Sequence, residues 1–595
     1  MADERLTNFY VDYDIQDVTA ARDSSFSTPD TQQYFTNIAS LVNRFSPDIE
    51  FSRFTFEHNF NILDGSLRPL EVDSQVPITV PYFNKTLSDI NGDYATAPSI
   101  LVNFSKPHSS FAFMFYFIDN HPIEMELTFW DPQDMLITRF TCVVDSLTYT
   151  TFHDVYGYQK MLVRFTKTIP KRYIKLKYIK YGTVITWDET NVRNASIVQQ
   201  VDRMSKSLTI DTLSFTVIDV AGKLNLGNTA GMHRYFQRNQ VMYPYEVITT
   251  DTSETNVQET INLGKYYLKD FSESKNLGKM GSQSYLGLMD DITYYGGEVY
   301  NGKKAGLVIK DIFYTMGLED DQFHIDNVTY NQLLYGTITP KSCRKALNEI
   351  LFATHSVIDS HNLEYVEIKK STAIQKPDLT KANKFSTSTK KNSYVFGVDV
   401  KYKTYGIESE RKEVAKGTYT KGTYTLYFTS PYSGLIINTG VINNQTTYSV
   451  TFTVNSTAEV IISGYAYTTT ESIARATQTS LQAGEKESIQ TFSTSLVNGE
   501  QALELAGKLL EYLSYDLTIN IKMMAEDNDM EDFHIVENPV DRFNNYYGMF
   551  TKRSLDLTGG FIDTATLIGS TIKEPLVPFA RSSNYELFAG GTVLI

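Results

Sequence analysis

Residues 554–567 read Ser-Leu-Asp-Leu-Thr-Gly-Gly-Phe-Ile-Asp-Thr-Ala-Thr-Leu. Leu555 and Leu557 alternate with polar residues, Gly559 and Gly560 interrupt, and Phe561, Ala565 and Leu567 resume a spacing of two. Side chains of a strand point alternately to opposite faces, so this pattern predicts a strand, a kink or turn, and a strand with one buried face. The two glycines suit a strand that bends at a barrel corner. A second unit of the same kind spans residues 207–219, where Leu208 and Ile210 alternate, followed by Leu213, Phe215 and Val217. Both stretches read as walls of small β-barrels, with Leu213, Phe215, Leu555, Leu557, Gly559, Gly560 and Phe561 as their defining residues. Neither carries catalytic chemistry, which points to a function of shape.

Composition agrees. A chain of 595 residues needs several domains, because single cores stop growing at roughly 250–300 residues. Forty Tyr and 35 Phe, with abundant Thr and Asn, are the residues of strands and turns. The fold class expected is mainly β with some α+β. The net charge of −15 disfavours wrapping nucleic acid, since phosphate contacts need Lys and Arg; an acidic wall would let DNA pass without binding it. Two cysteines, Cys142 and Cys343, exclude a disulfide scaffold and read as free buried thiols. The start, Met-Ala-Asp-Glu-Arg-Leu-Thr, lacks the apolar core of a secretory signal, and no apolar run is long enough to span a bilayer. The expectation is a protein made in a cytoplasm.

Turn clusters and periodicity divide the chain. Residues 1–187 read as a β-sandwich: Asp64-Gly65-Ser66 and Asn91-Gly92-Asp93 are turn signals, residues 111–118 form an aromatic run suited to a strand buried on both faces, and residues 172–181 alternate with lysines expected to face water. Residues 188–274 would hold the first barrel and 275–370 an α/β part. In that part Ala305, Val308, Ile309, Ile312, Phe313 and Met316 fall at helical spacing before Gly317, and Thr339-Pro340 predicts a helix start. Both helices should lie on a sheet rather than form a bundle. Residues 371–415 and 468–595 would form the second barrel with a helix over 500–514 capped by Asn498. Residues 416–467, rich in Thr, Tyr, Ser, Asn and Gly, read as an inserted small β-domain.

Chemical motifs are weak. Gly297-Glu-Val-Tyr-Asn-Gly302-Lys303-Lys304 nearly matches a phosphate-binding loop, but Lys304 stands where a magnesium-binding hydroxyl is needed, so a glycine-rich turn is the better reading. Glu526, Asp527, Asp529, Glu531 and Asp532 form an acidic cluster in which Asp527, Asp529 and Glu531 have the spacing that opens a calcium loop; Asp532 replaces its glycine and Asn538 its bidentate glutamate, so a solvated hairpin tip is the better reading. The histidines are scattered, with His355 and His361 six apart, and give no zinc spacing. No serine-hydrolase elbow occurs. No catalytic residue, cofactor or metal is expected. Tyr94, Trp130, Phe152, Tyr156 and Tyr158 lie in or near sandwich loops and could meet a sugar or a partner, or be core.

Several stretches together resemble tail-hub and tail-associated proteins of phages and prophages of Gram-positive bacteria, the class related to the T4 baseplate hub. Asn61-Ile-Leu-Asp-Gly-Ser66 and Leu87-Ser-Asp-Ile-Asn-Gly92 resemble the opening of the N-terminal jelly-roll domain, and residues 172–182 its last strand. Residues 207–219 resemble the first hub-barrel strands, residues 294–302 the α/β part, and residues 546–561 the closing barrel. The resemblance implies a homotrimer in which two barrels per subunit make a pseudo-sixfold ring that adapts and closes a hexameric tail tube. It implies contacts with the tail tube or distal tail protein, the tape-measure protein, and fibre, spike or other baseplate components. The place expected is a virion tail, or an extracellular phage-tail-like particle, assembled in the bacterial cytoplasm; contractile and non-contractile tails remain open. The alternative is a receptor-binding tail protein whose jelly roll recognises a host surface glycan. An enzyme is not expected.

Overall fold

A computed structural model describes residues 4–29, 38–42, 81–219, 221–229, 231–251, 256–360, 365–371, 374–375, 379, 384–524, 530, 532–540, 545–558 and 561–572. The turn at 64–66, the stretch 61–66, His361, Gly559, Gly560 and the acidic residues 526–529 and 531 lie outside them. The chain forms two compact units, Met1–Arg193 with Thr216–Ser282, and Asn194–Phe215 with Gln283–Ile595. Both are mainly β, as the composition requires.

The first unit holds two antiparallel sheets that share one core. A five-stranded sheet runs in the order Ser24–Ser27, Ser99–Ser110, Val155–Thr168, Pro122–Trp130, Leu136–Val143; a four-stranded one runs Tyr82–Phe83, Lys175–Lys180, Phe113–Phe117, Thr148–Thr151. The aromatic run forms the strand Phe113–Phe117, and rings meet between the sheets: Phe113 lies 4.8 Å from Phe129, and Phe117 6.3 Å from Phe165. A separate ladder places the strand Glu4–Gln16 between Gly182–Asp188 and Val241–Asp251. Phe9, Val11, Tyr13 and Ile15 alternate along it and are buried.

Residues 172–181 correct the expectation that their lysines face water. Lys175 and Lys180 are buried, the first paired with Asp119 at 3.1 Å and the second with Asp14 at 2.5 Å. A register shift between Leu176 and Tyr178 breaks the alternation, and each buried ammonium is compensated by a carboxylate, as burial of a charge demands.

The second unit contains the predicted strand–turn–strand. The strands Tyr546–Asp556 and Ile562–Thr571 form an antiparallel hairpin from Asp556↔Ile562 to Tyr546↔Thr571. Its sheet continues through Leu517–Met524 to Lys384–Lys391 on one side, and on the other to residues 196–200 of the strand Val192–Gln200. Among the described residues this ladder is open, so the closed barrels expected from the sequence are not formed. The outer strand Lys384–Lys391 explains why: exposed Lys390 and Lys391 and a largely exposed polar sequence guard that edge against further pairing.

The α/β part centres on the helices Ala305–Thr315 and Cys343–Thr354, which share one core with each other and with neighbouring strands. They were expected to meet only a sheet. Gly317 follows the first helix at φ +79°, as a left-handed C-terminal cap does. The second helix begins later than Thr339-Pro340: Ser342 Oγ accepts from Lys345 N at 3.4 Å, because Lys341–Ser342 first pairs with Thr293–Tyr294. The helix Gly499–Leu513 carries the expected cap, and Asn498 and Gln501 complete a capping box.

Strands Gly397–Tyr419 and Ala458–Thr477 pair along almost their whole length as a two-stranded arm. At roughly 3.3 Å per residue the longer one reaches about 75 Å. The helix Gly499–Leu513 packs on its base. At its end, residues 422–454 add the strands Gly422–Tyr427, Ser449–Val454 and Val441–Gln445 over a small core of Val450, Phe452, Val460 and Ile462. Thr423 with Thr453, and Thr425 with Thr451, join hydroxyls across the ladder at 2.9 Å.

One buried cluster fastens the first unit. His108 Nδ1 lies 2.7 Å from Asp17 and Nε2 2.8 Å from Asp23, and Phe104 and Tyr158 enclose the ring. Two carboxylates on two nitrogens require the imidazolium. Burial opposes that charge, but the bonds to Asp17 and Asp23 outweigh it and raise the His108 pKa. Asp23 is lowered to about 2, chiefly by its bond from Ser105 and then by His108. A raised histidine stabilises fully below its unfolded value of about 6.5 and loses this as pH rises through the folded value; the lowered carboxylates lose theirs only in acid. His108→Gln should therefore destabilise this unit most near pH 5–6, by about 3–5 kcal/mol, and progressively less as pH rises through the raised folded value. Trp130 and Trp187, the only tryptophans, both lie in this unit, so their fluorescence during urea unfolding reads the effect.

Candidate interaction sites

The sandwich places the five aromatic candidates differently. Tyr158 is fully buried; Ser110 Oγ lies 2.9 Å from its hydroxyl, and its ring packs on Phe113 and Phe129. It belongs to the core and offers solvent no face. Tyr94 is half-buried against that core and donates to Arg172 O at 3.1 Å. Trp130 ends its strand half-buried, with Lys160 Nζ 5.9 Å from its ring and that lysine paired to Asp134 at 2.5 Å. Phe152 and Tyr156 are each 67% exposed.

These last two belong to a strip assembled from three segments. Phe111 lies 6.3 Å from Phe152 and 5.3 Å from Tyr235. The Arg234 guanidinium sits 5.5 Å from the Tyr156 ring and 5.9 Å from that of Tyr235. Asp154 accepts from the Tyr235 hydroxyl and faces Arg234 Nη1 at 3.9 Å. The sequence reading missed Phe111, Asp154, Arg234 and Tyr235 here. Nothing local signals them, since Arg234 and Tyr235 sit in the short helix Met232–Tyr235 and reach Tyr156 only through the fold.

Of the barrel-defining residues, Leu213 and Phe215 are buried on the strand Thr212–Ile218, whose burial alternates along its length. Residues 207–211 add no strand before it. Leu555 is buried on its strand, and Leu557, just beyond, donates its N–H to Ala195 O at 3.0 Å. Phe561 adopts a left-handed φ of +52° at the hairpin turn. Beneath this ladder Arg553 Nε donates to Asp563 Oδ2 at 2.7 Å, with both side chains almost wholly buried. Burial raises the Asp563 carboxyl while Arg553 pulls it back. Arg203, also buried, donates to the carbonyls of Phe550 and Met530.

The glycine-rich stretch 296–302 borders a cleft of about 690 Å³. Gly296 turns at φ +72°, where a Cβ would come 2.7 Å from Ile338 O. Gly297 O accepts from Thr447 N at 2.9 Å and Thr447 Oγ1 at 3.0 Å, and Tyr295 stacks on Tyr427 at 4.0 Å. The stretch thus docks the end of the arm. Lys303 pairs with Glu298 and Lys304 with Asn331, so both lysines of the phosphate-loop-like motif are engaged. In the cleft Tyr294 donates to Asp311 Oδ2 at 2.8 Å, and burial raises the phenols of Tyr294 and Tyr300. Hydroxyls held protonated can donate hydrogen bonds; they supply no base or nucleophile. Among the described residues no three His, Cys, Asp or Glu side chains are placed to hold a metal ion.

His355 shows what burial does to an unused group. It ends its helix at φ +48°, and burial, then Lys508, lowers its pKa to about 4. It is therefore neutral in the physiological range. Cys142 and Cys343 are free and buried, and burial raises both thiols.

No protein-family model matches the chain, and no curated protein matches it in sequence. Among solved structures it is similar to a tail protein from Neisseria meningitidis, at 9% identity over 64% of this chain and 92% of that one, with a TM-score of 0.36. It is similar to prophage tail protein gp18 from Listeria monocytogenes at 7% identity, 64% and 91% coverage and a TM-score of 0.36. The family 32 CBM from C. perfringens NanJ, solved in complex with galactose, matches at 10% identity over 30% of this chain and 99% of that one, with a TM-score of 0.18.

The ladder carries a direct test. Arg553→Met leaves the Asp563 carboxylate buried alone and should destabilise the second unit by about 3–5 kcal/mol. Asp563→Asn, which keeps an acceptor for Arg553, should cost less. Hydrogen exchange of the strands Tyr546–Asp556 and Ile562–Thr571 would read both, and equal protection in wild type and Arg553→Met would contradict the role of the pair.

Proposed function

We propose that this chain is a structural component of a phage tail or phage-tail-like particle, a hub at the tail tip. It works as a homotrimer whose ladders build a ring that adapts and closes the tail tube and anchors fibre, spike and tape-measure components. It performs no chemical step. The supporting observation is the pairing of residues 196–200 with 552–556. Ala195 N also donates to Thr558 Oγ1 at 3.2 Å across 363 residues of sequence. The closing stretch, whose sequence resembles a hub barrel, thus takes its neighbour from the segment that opens the first one. A ring wall made this way is rigid because its backbone groups are satisfied inside the sheet, and a chain whose 69 acidic residues outnumber its 54 lysines and arginines does not favour holding DNA.

A second reading, recognition of a cell-surface glycan by the N-terminal sandwich, is favoured by the exposed rings of Phe152 and Tyr156. The hub reading predicts that the full chain in solution scatters light as three copies of its 67.6-kDa mass and co-assembles with the tube protein of its particle. A strict monomer at micromolar concentration that leaves the tube unbound would remove it.

A further inference from the structure

Large aromatic rings left in water need no explanation one at a time. The strip around Tyr156 differs because three remote segments hold its rings in sequence, Phe152 to Phe111 to Tyr235, with Arg234 lying over both Tyr235 and Tyr156. Asp154 fixes Tyr235 through its hydroxyl. The charged members stay accessible, with side chains 34% exposed at Arg234 and 55% at Asp154.

That layout favours one ligand chemistry. A protein interface of standard size covers about 800 Å² per partner, with an apolar, charge-depleted centre and a polar rim. Here the charges stand inside the strip, between rings. A protein partner would desolvate Arg234 and Asp154 where they touch each other only at 3.9 Å, and burying poorly paired charges is costly. A pyranose is amphipathic in the matching way. Its C–H face can lie on a ring, while hydroxyls at its edge accept from guanidinium N–H groups and donate to a carboxylate.

We propose that this strip binds a neutral pyranose of a surface polysaccharide. Tyr156 and Phe152 stack on sugar faces, and Arg234 and Asp154 read neighbouring hydroxyls. Phe111 and Tyr235 are positioning residues that hold the stacking rings and the guanidinium in place. The proposal rests on the glycan reading given above and names its site.

The test titrates the full chain with methyl β-galactopyranoside, methyl β-glucopyranoside and N-acetylglucosamine, read by saturation-transfer NMR and calorimetry. At least one should bind with a dissociation constant on the order of millimolar. The double variant Phe152→Ala/Tyr156→Ala should weaken it by about tenfold or more, and Arg234→Lys, which keeps charge but loses the planar fork, should weaken it too. Leu136→Ala, another exposed apolar residue, should leave it unchanged. Unaltered tryptophan-detected unfolding would show that the variants fold. Binding that survives the double variant overturns this site while the glycan reading stands. A wild-type chain that binds none of the three sugars overturns both. Variants that abolish trimer formation, with no sugar bound by the wild type, would assign the strip to a subunit interface instead.

Discussion

Antiparallel pairing between strands far apart in sequence is the constraint on which this molecule depends. A buried N–H or C=O must find a partner, and in a mainly β chain that partner is usually another strand. The strand Glu4–Gln16 finds it in residues 182–188 and 242–251; residues 196–200 find it in 552–556. Neither arrangement can form until most of its unit has been made. Such non-local pairing folds slowly, and it leaves each finished ladder with few ways to open locally.

Ion pairs then fix which pairing is made. A one-residue slip moves every side chain of a strand to the other face. At Lys175, Lys180 and Arg553 such a slip would separate a buried cation from Asp119, Asp14 or Asp563. The uncompensated charge would cost several kcal/mol. Apolar alternation alone resists a one-residue slip but is kept by a slip of two, which returns each side chain to its own face. The buried pairs therefore contribute more to register than to net stability. His108 plays the same part for the connection after the first strand, gripping Asp17 and Asp23 at once.

What the sequence disclosed follows from the range of the forces involved. The helix Gly499–Leu513 with its Asn498 cap, the helix before Gly317 and the hairpin at 546–571 were legible because periodicity, capping and turn chemistry are local. Tertiary pairing hid the rest. Lys175 and Lys177 alternate with apolar residues as a solvent-facing set would, and only Asp119 and Asp14 make the burial of Lys175 and Lys180 tolerable. Thr339-Pro340 has good helix-start chemistry, yet the bridge between Lys341–Ser342 and Thr293–Tyr294 delays the helix to Ser342. Tyr158 reads like Tyr156 in sequence, but their burial is opposite, because neighbours two apart share a face only while the strand stays regular, and Gly157 adopts φ +70° between them. The barrels were inferred from strand pattern, which carries no information on closure; the lysine-rich strand Lys384–Lys391 decided that.

The same division explains where contact residues lie. Ladder residues are committed twice, through the backbone to neighbouring strands and through side chains to the core, so a change of partner there would dismantle the sheet. Loops carry neither commitment and can vary while a rigid scaffold holds them in place. Phe152, Asp154 and Tyr156 sit where the sandwich turns from one sheet to the other, and the positive φ at Gly157 re-aims the strand directly after them. Tyr156 thereby faces solvent beside Arg234 while Tyr158, one turn of the pleat later, enters the core. One glycine thus separates the part of this strand that holds the sandwich together from the part free to meet something else.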